Sequence, residues 1–175
     1  MIILGSGGHT TEILRLTKPV IESKGRMLRL IFVVADTDVT SVPRVASILG
    51  SDVEFALCTV PRIRNVGESL VHAFLKIPKT FVSSVTVLLA ENPDVIITNG
   101  PGTCLPIVFA SLVLEFLFLS KRTVRVFVES FCRVTTISQT GRLLYTFVDS
   151  FILQWKPSTS IASKYPKAKY IGVLI

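Results

Sequence analysis

Met1-Ile2-Ile3-Leu4-Gly5-Ser6-Gly7-Gly8-His9-Thr10 opens the chain, and Thr11-Glu12-Ile13-Leu14 continues it. An apolar run reads as a strand over Met1–Leu4. Three glycines then interrupt it before a helical pattern begins. Ile13, Leu14, Leu16, Val20 and Ile21 supply one buried face of a helix expected from Thr10 to Ser23. Glycine lets the backbone turn tightly and approach a ligand closely. The N–H groups and dipole of the following helix start favour an anion. Thr10 stands where a dinucleotide fingerprint needs its third glycine, so the loop supports nucleotide cofactor binding only weakly. A phosphate or diphosphate loop and a purely structural turn remain as its readings. His9, at the mouth of the loop, can serve as a general base or as a donor to an anion.

Outward from this stretch, strand and helix patterns alternate. Leu28–Ala35 is a β-branched run suited to a strand buried on both faces. Ser41–Leu49 reads as a helix and Val53–Leu57 as a strand. Ser69–Ala90 reads as a helix bent or broken near Pro78. Val95–Thr98, Val124–Val128 and Phe151–Gln154 read as strands, and Cys104–Leu119 as a helix. This spacing predicts an α/β, Rossmann-like, mainly parallel sheet with helices on both faces. One domain is expected over 1–175, with a less regular tail over about 156–175.

With strand order 3-2-1-4-5, the first and fourth strands are neighbours at the switch point. The loop Asn99-Gly100-Pro101-Gly102-Thr103 then faces the first glycine loop across one crevice. Thr103 is placed to cap the helix that follows. Glu129-Ser130-Phe131 leaves the fifth strand on the same edge, where a carboxylate suits sugar hydroxyls, a basic role or simple solvation. Of Asp36 and Asp38, one is expected to cap the next helix.

Hydrophobic residues make up 49% of the 175-residue chain and charged residues 18%, with a net charge of +7. So apolar a chain covers both faces of a sheet or presents apolar surface to lipid or a partner. The basic excess favours phosphate groups, whether in nucleic acid, anionic lipid or a diphosphate, or else forms a solvated, solubilising surface. Cys58, Cys104 and Cys132 are widely spaced, which speaks against zinc and against a disulfide framework. Met1 is followed at once by a strand, without a signal-peptide pattern. Gly102–Ser120 approaches spanning length, yet Pro106, Glu115 and its crossover position favour a buried helix. Val71, Phe74, Leu75 and Phe81, interleaved with Lys76 and Lys79, suit either a headgroup-layer helix or a core-facing one. The apolar ending Val173, Leu174 and Ile175 fits a last strand or a plug into a partner.

The runs GSGGHTTEIL, TNGPGTCLP, ESFCRV and TFVDSFILQW…YIGVLI occur in this order and together cover nearly the whole chain. They resemble the membrane-anchor subunit of the eukaryotic UDP-N-acetylglucosamine transferase of asparagine-linked glycosylation. They also resemble the N-terminal, acceptor-side half of the bacterial transferase that acts on lipid I. The resemblance implies half of a GT-B glycosyltransferase, without cofactor or metal and without a nucleic-acid partner. Its partner would be the catalytic UDP-GlcNAc-binding subunit, without which it would be inactive. Its acceptor would be dolichyl-diphosphate-linked GlcNAc, and its place the cytosolic face of the endoplasmic reticulum membrane or nuclear envelope. Gly5, Ser6, Gly7, Gly8, Thr10, Asn99, Gly100, Gly102 and Thr103 would hold the acceptor diphosphate. His9 or Glu129 would be the base. Val71, Phe74, Leu75, Lys76 and Lys79 would meet lipid, and Val173, Leu174 and Ile175 the partner. The family's N-terminal membrane helix has no counterpart in these residues. A non-catalytic membrane scaffold and a small nucleotide-binding Rossmann protein are the competing readings.

Overall fold

The computed structural model describes residues 1–24, 27–50, 52–63, 70–100 and 102–172, except for the side chains of 70–74. Strand and helix alternate from the start: β1 (Ile2–Ile3), α1 (Gly8–Lys24), β2 (Ile31–Ala35), α2 (Ser41–Leu49), β3 (Ala56–Val60) and α3 (Leu70–Glu91). There follow β4 (Val95–Thr98), α4 (Cys104–Phe116), β5 (Val124–Val128) and α5 (Gln139–Leu144). β6 (Ser150–Leu153), α6 (Thr159–Lys164) and β7 (Ala168–Tyr170) complete the described elements. Among the described residues the strands form one sheet of order β3-β2-β1-β4-β5-β6-β7, parallel at every pairing.

The pleat divides the apolar residues between two cores. Ile2 and Leu4 turn to one face, with Phe32, Val34, Ile13 and Leu14, under α1 and α2. Ile3 turns to the other face, with Val33, Ile96, Phe127, Ile107 and Val108, under α3 and α4. All five residues of β2 are buried, as a strand covered on both faces requires. Phe127 and Phe151 stack at 5.0 Å across β5 and β6.

Ile3 registers with Thr98, so β1 and β4 are neighbours and the loops after them share one rim. α1 begins at that rim, and Thr80 within α3 donates from Oγ1 to Pro61 O just after β3 at 3.2 Å. Several details differ from the sequence reading. β3 lies three residues later than expected and alternates in burial, as an edge strand does. Pro78 does not end the helix, which runs on through it, and the residue is exposed. α4 stops at Phe116, because Phe118 takes a left-handed φ of 57° and Leu119 N–H bonds back to Leu114 O at 2.9 Å. Residues after Trp155 are more regular than expected. Ser158 Oγ accepts from Ile161 N–H at the start of α6, and β7 extends the sheet beside β6.

Candidate functional site

A cleft of about 830 Å³ opens where β1, β4 and β5 end. Gly8 and His9 line one wall, Asn99 and Gly100 another, and Glu129 to Arg133 face them with the first turn of α5. The volume falls within the range of small-molecule sites. The position is where ligands enter open parallel sheets. Gly8 begins α1, so the free N–H groups of that helix turn toward the cleft. Arg15 and Arg133, both exposed, add positive charge to the lining. The arrangement suits an anionic group near the glycine wall and hydroxyl-bearing groups beside the amides and carboxylates.

The two loops are joined directly: Asn99 donates from Nδ2 to His9 O at 2.8 Å. The same nitrogen reaches Glu12 Oε2 at 3.3 Å. Glu12, on the inner face of α1, is 8% exposed. Its carboxylate also accepts from Phe131 N–H, from Ser130 Oγ at 3.2 Å and from Gln154 Nε2. Three strand ends are thus tied to one side chain, and the bonds offset the cost of burying it. His9 Nδ1 lies 3.9 Å from Glu12 Oε2, on a ring with 40% side-chain exposure. His9 Nδ1, Asn99 Oδ1 and Gln154 Oε1 are buried and have no hydrogen-bond partner among the described residues.

Glu129 is 1% exposed and faces its own loop. One oxygen accepts from Ser130 N–H at 3.0 Å; the other accepts from Ser138 N–H at 2.9 Å and Ser138 Oγ at 3.1 Å. Ser138 in turn caps α5, accepting from Gly141 N–H at 2.9 Å. Burial raises the Glu129 pKa, against the opposing pull of the Ser138 and Ser130 bonds.

Of the residues expected at this site, Gly8, His9, Asn99, Gly100 and Glu129 come together in the cleft. Gly5, Ser6, Gly7, Thr10, Gly102 and Thr103 support the two loops from outside its lining. Thr10 is fully buried and donates to Gly5 O, with Ser41 Oγ 2.6 Å away. Gly7 takes a φ of 69°, and its carbonyl accepts from Arg44 at 2.6 Å. Thr103 starts α4 without a side-chain capping bond, contrary to expectation. Asp38 fulfils the expected cap, accepting from the N–H groups of Thr40 and Ser41 at 3.1 Å each. Burial disfavours its charge, but the bonds from Ser41 and Thr40 prevail and hold its pKa down. Sequence reading missed Glu12 and Gln154. The available signal was an acid three residues after His9, directly before the buried pair Ile13-Leu14.

Residues 1–174 match the family model described as "Oligosaccharide biosynthesis protein Alg14 like". The chain belongs to the Alg14 family. It is 33% identical to the UDP-N-acetylglucosamine transferase subunit ALG14 of Homo sapiens, over 100% of this chain and 82% of the human protein. It is 36% identical to the subunit of the same name from Schizosaccharomyces pombe, over 99% of this chain and 82% of that protein. The fold matches MurG from Acinetobacter baumannii with a TM-score of 0.65 at 15% identity. That match covers 99% of this chain and 44% of MurG.

Within this Alg14-family fold, Leu75 and Lys79 are exposed on α3 and Lys76 is half-buried. The side chains of Val71 and Phe74 lie outside the described residues, as do Val173, Leu174 and Ile175. Among the described residues no helix is long and apolar enough to cross a membrane.

Proposed function

We propose that this chain is the acceptor-side subunit of a two-chain UDP-N-acetylglucosamine transferase. It binds GlcNAc-diphosphodolichol at the cytosolic face of the endoplasmic reticulum and recruits the subunit that carries UDP-N-acetylglucosamine. The complex then adds the second N-acetylglucosamine. The observation that carries this reading is the convergence of the two glycine loops on one cleft at a helix N-terminus, bordered by Arg15 and Arg133. Backbone N–H groups and two guanidinium groups suit a diphosphate. The buried amides and carboxylates beyond suit sugar hydroxyls. Thr80 of α3 bonds Pro61 O at the end of β3, so Leu75, Lys76 and Lys79, which precede it, can meet headgroups on that side while a lipid tail leaves the cleft. The family relationship supports the split between two chains, because the relatives are named as subunits of a UDP-N-acetylglucosamine transferase. Partner docking through Val173, Leu174 and Ile175 belongs to the same proposal.

The test is transfer from labelled UDP-N-acetylglucosamine to GlcNAc-diphosphodolichol in vesicles, with this chain, its nucleotide-sugar-binding partner, or both. Product should form only with both. Product from this chain alone rejects the split. Undiminished turnover after His9→Ala and Asn99→Ala, with the complex intact, reduces the chain to a scaffold.

A further inference from the structure

Glu12 has more contacts than a helix-packing acid needs. It accepts from Asn99, Ser130, Phe131 and Gln154, which fills the roughly four acceptor positions of a carboxylate. It also lies 3.9 Å from a buried His9 Nδ1 that has no hydrogen-bond partner among the described residues. At that distance the contact is between charge and ring and is not a hydrogen bond, and an N–H on Nδ1 meets the carboxylate charge more favourably than a lone pair does. The His9 backbone is fixed beside it, because Asn99 donates to the His9 carbonyl at 2.8 Å.

We infer that Glu12 is the positioning residue of the cleft: it keeps the proton of neutral His9 on Nδ1, which leaves Nε2 to take the proton of the acceptor hydroxyl. This rests on the transferase reading above. In the step, the acceptor O–H bond breaks and its proton moves to Nε2. The oxygen forms a bond to C1 of the N-acetylglucosamine supplied by the partner, and the C1–O bond to UDP breaks with the electron pair leaving on the diphosphate. Glu12 stabilises the imidazolium that forms and touches neither sugar. Glu129 is less suited to take the proton, since both of its oxygens already accept hydrogen bonds.

His9 shares the cleft with Glu12 and Arg15 of α1, with Asn99 after β4, and with Glu129, Cys132 and Arg133 after β5. Of the carboxylates, Glu12 is the one within 4 Å of the ring.

Long-range proton–nitrogen spectra of the intact chain read the tautomer directly, with His72→Asn used to assign the two histidines. Wild type should show neutral His9 protonated on Nδ1, and Glu12→Gln should mix the tautomers. Protonation on Nε2 in the wild type overturns the inference without any variant having to fold. In the complex, His9→Ala should lose about 10²–10⁴-fold in kcat. Glu12→Gln should fall between wild type and His9→Ala in kcat at little-changed acceptor KM. Adding it to His9→Ala should cause no further loss. An unmixed tautomer in a folded Glu12→Gln chain makes the residue merely structural and overturns the inference. Full turnover by His9→Ala also overturns it, but leaves the acceptor-subunit reading standing as long as Asn99→Ala loses turnover. A wild-type complex without transfer defeats that reading itself, whatever the tautomer.

Discussion

Asn99 Nδ2 donates to His9 O at 2.8 Å across 90 residues of sequence, joining the two glycine loops. Replacing Asn99 by Ala removes that tie between the loops and one donor from Glu12. The expected cost is about 1–3 kcal/mol in denaturant unfolding. Asn99→Asp costs more, because an acceptor oxygen then faces the His9 carbonyl and the Glu12 carboxylate. The new acid has a raised pKa in the folded state, so stability falls as pH rises from about 3.9 through that raised value. Equal losses for the two variants at every pH would show that the amide donor is unimportant.

Glu129 anchors the loop into α5, so its replacement should be read in stability before chemistry. Glu129→Gln presents an amide donor to either Ser130 N–H or Ser138 N–H, leaving one of them unpaired. A loss of about 1–3 kcal/mol follows. Burial raises the pKa of the native carboxyl, against the Ser138 and Ser130 bonds, so wild type loses stability as pH rises from the ordinary glutamate value through the raised one. The glutamine variant lacks that loss, and the gap between the two proteins should narrow with rising pH. Paired unfolding curves across the acid range measure it; a gap that widens contradicts the assignment.

The junction of β1 with β4 was legible in the sequence because both strands are short apolar runs that end in glycine loops, at spacings that call for crossover helices. Ser41–Leu49, Val95–Thr98 and Val124–Val128 could be delimited for the same reason, since period and punctuation agree there. α5 and α6 were not seen. Each spans six residues and is held by a serine cap, so neither is long enough for a helical period to emerge. β3 was misplaced because Val53 and Phe55 mimic its alternation while packing against the neighbouring core just ahead of the strand. Glu12 was hidden for a different reason. Its partners come from the ends of β4, β5 and β6, and no local pattern encodes a carboxylate that the tertiary fold satisfies.

Gly8 and Gly141 separate ligand approach from packing. A Cβ on Gly8 meets nothing within 4 Å, and its φ is not in the left-handed region. Gly8→Ala should therefore leave stability unchanged or raise it by about 0.5–1 kcal/mol. The methyl stands in the cleft at the start of α1, so the acceptor KM should rise. A Cβ on Gly141 would lie 2.6 Å from Glu129 Oε2 and 3.0 Å from Ser138 Oγ. Gly141→Ala should cost about 1–3 kcal/mol and lower the melting temperature. An unchanged acceptor KM for Gly8→Ala would remove the glycine wall from the binding surface.

Arg125 tests the fold away from the cleft. It is 4% exposed in β5, pairs with Glu115 and lies 3.5 Å from Asp149, while its NεH donates to Ser111 Oγ at 2.8 Å. Arg125→Met leaves two acids beside an apolar side chain, at an expected cost of about 3–5 kcal/mol near neutral pH. Burial works to raise the Asp149 pKa, but the N–H and charge of Arg125, with help from Arg122, hold it below its ordinary value. That contribution is complete above about pH 3.9 and is lost as pH falls through the depressed value. Without the guanidinium the depression shrinks, so the variant has less to lose on acidification. The wild-type advantage in urea unfolding should therefore be smaller near pH 3 than at pH 7. A gap that stays constant over this interval would mean that Arg125 contributes through packing of its aliphatic stem and not through its charge.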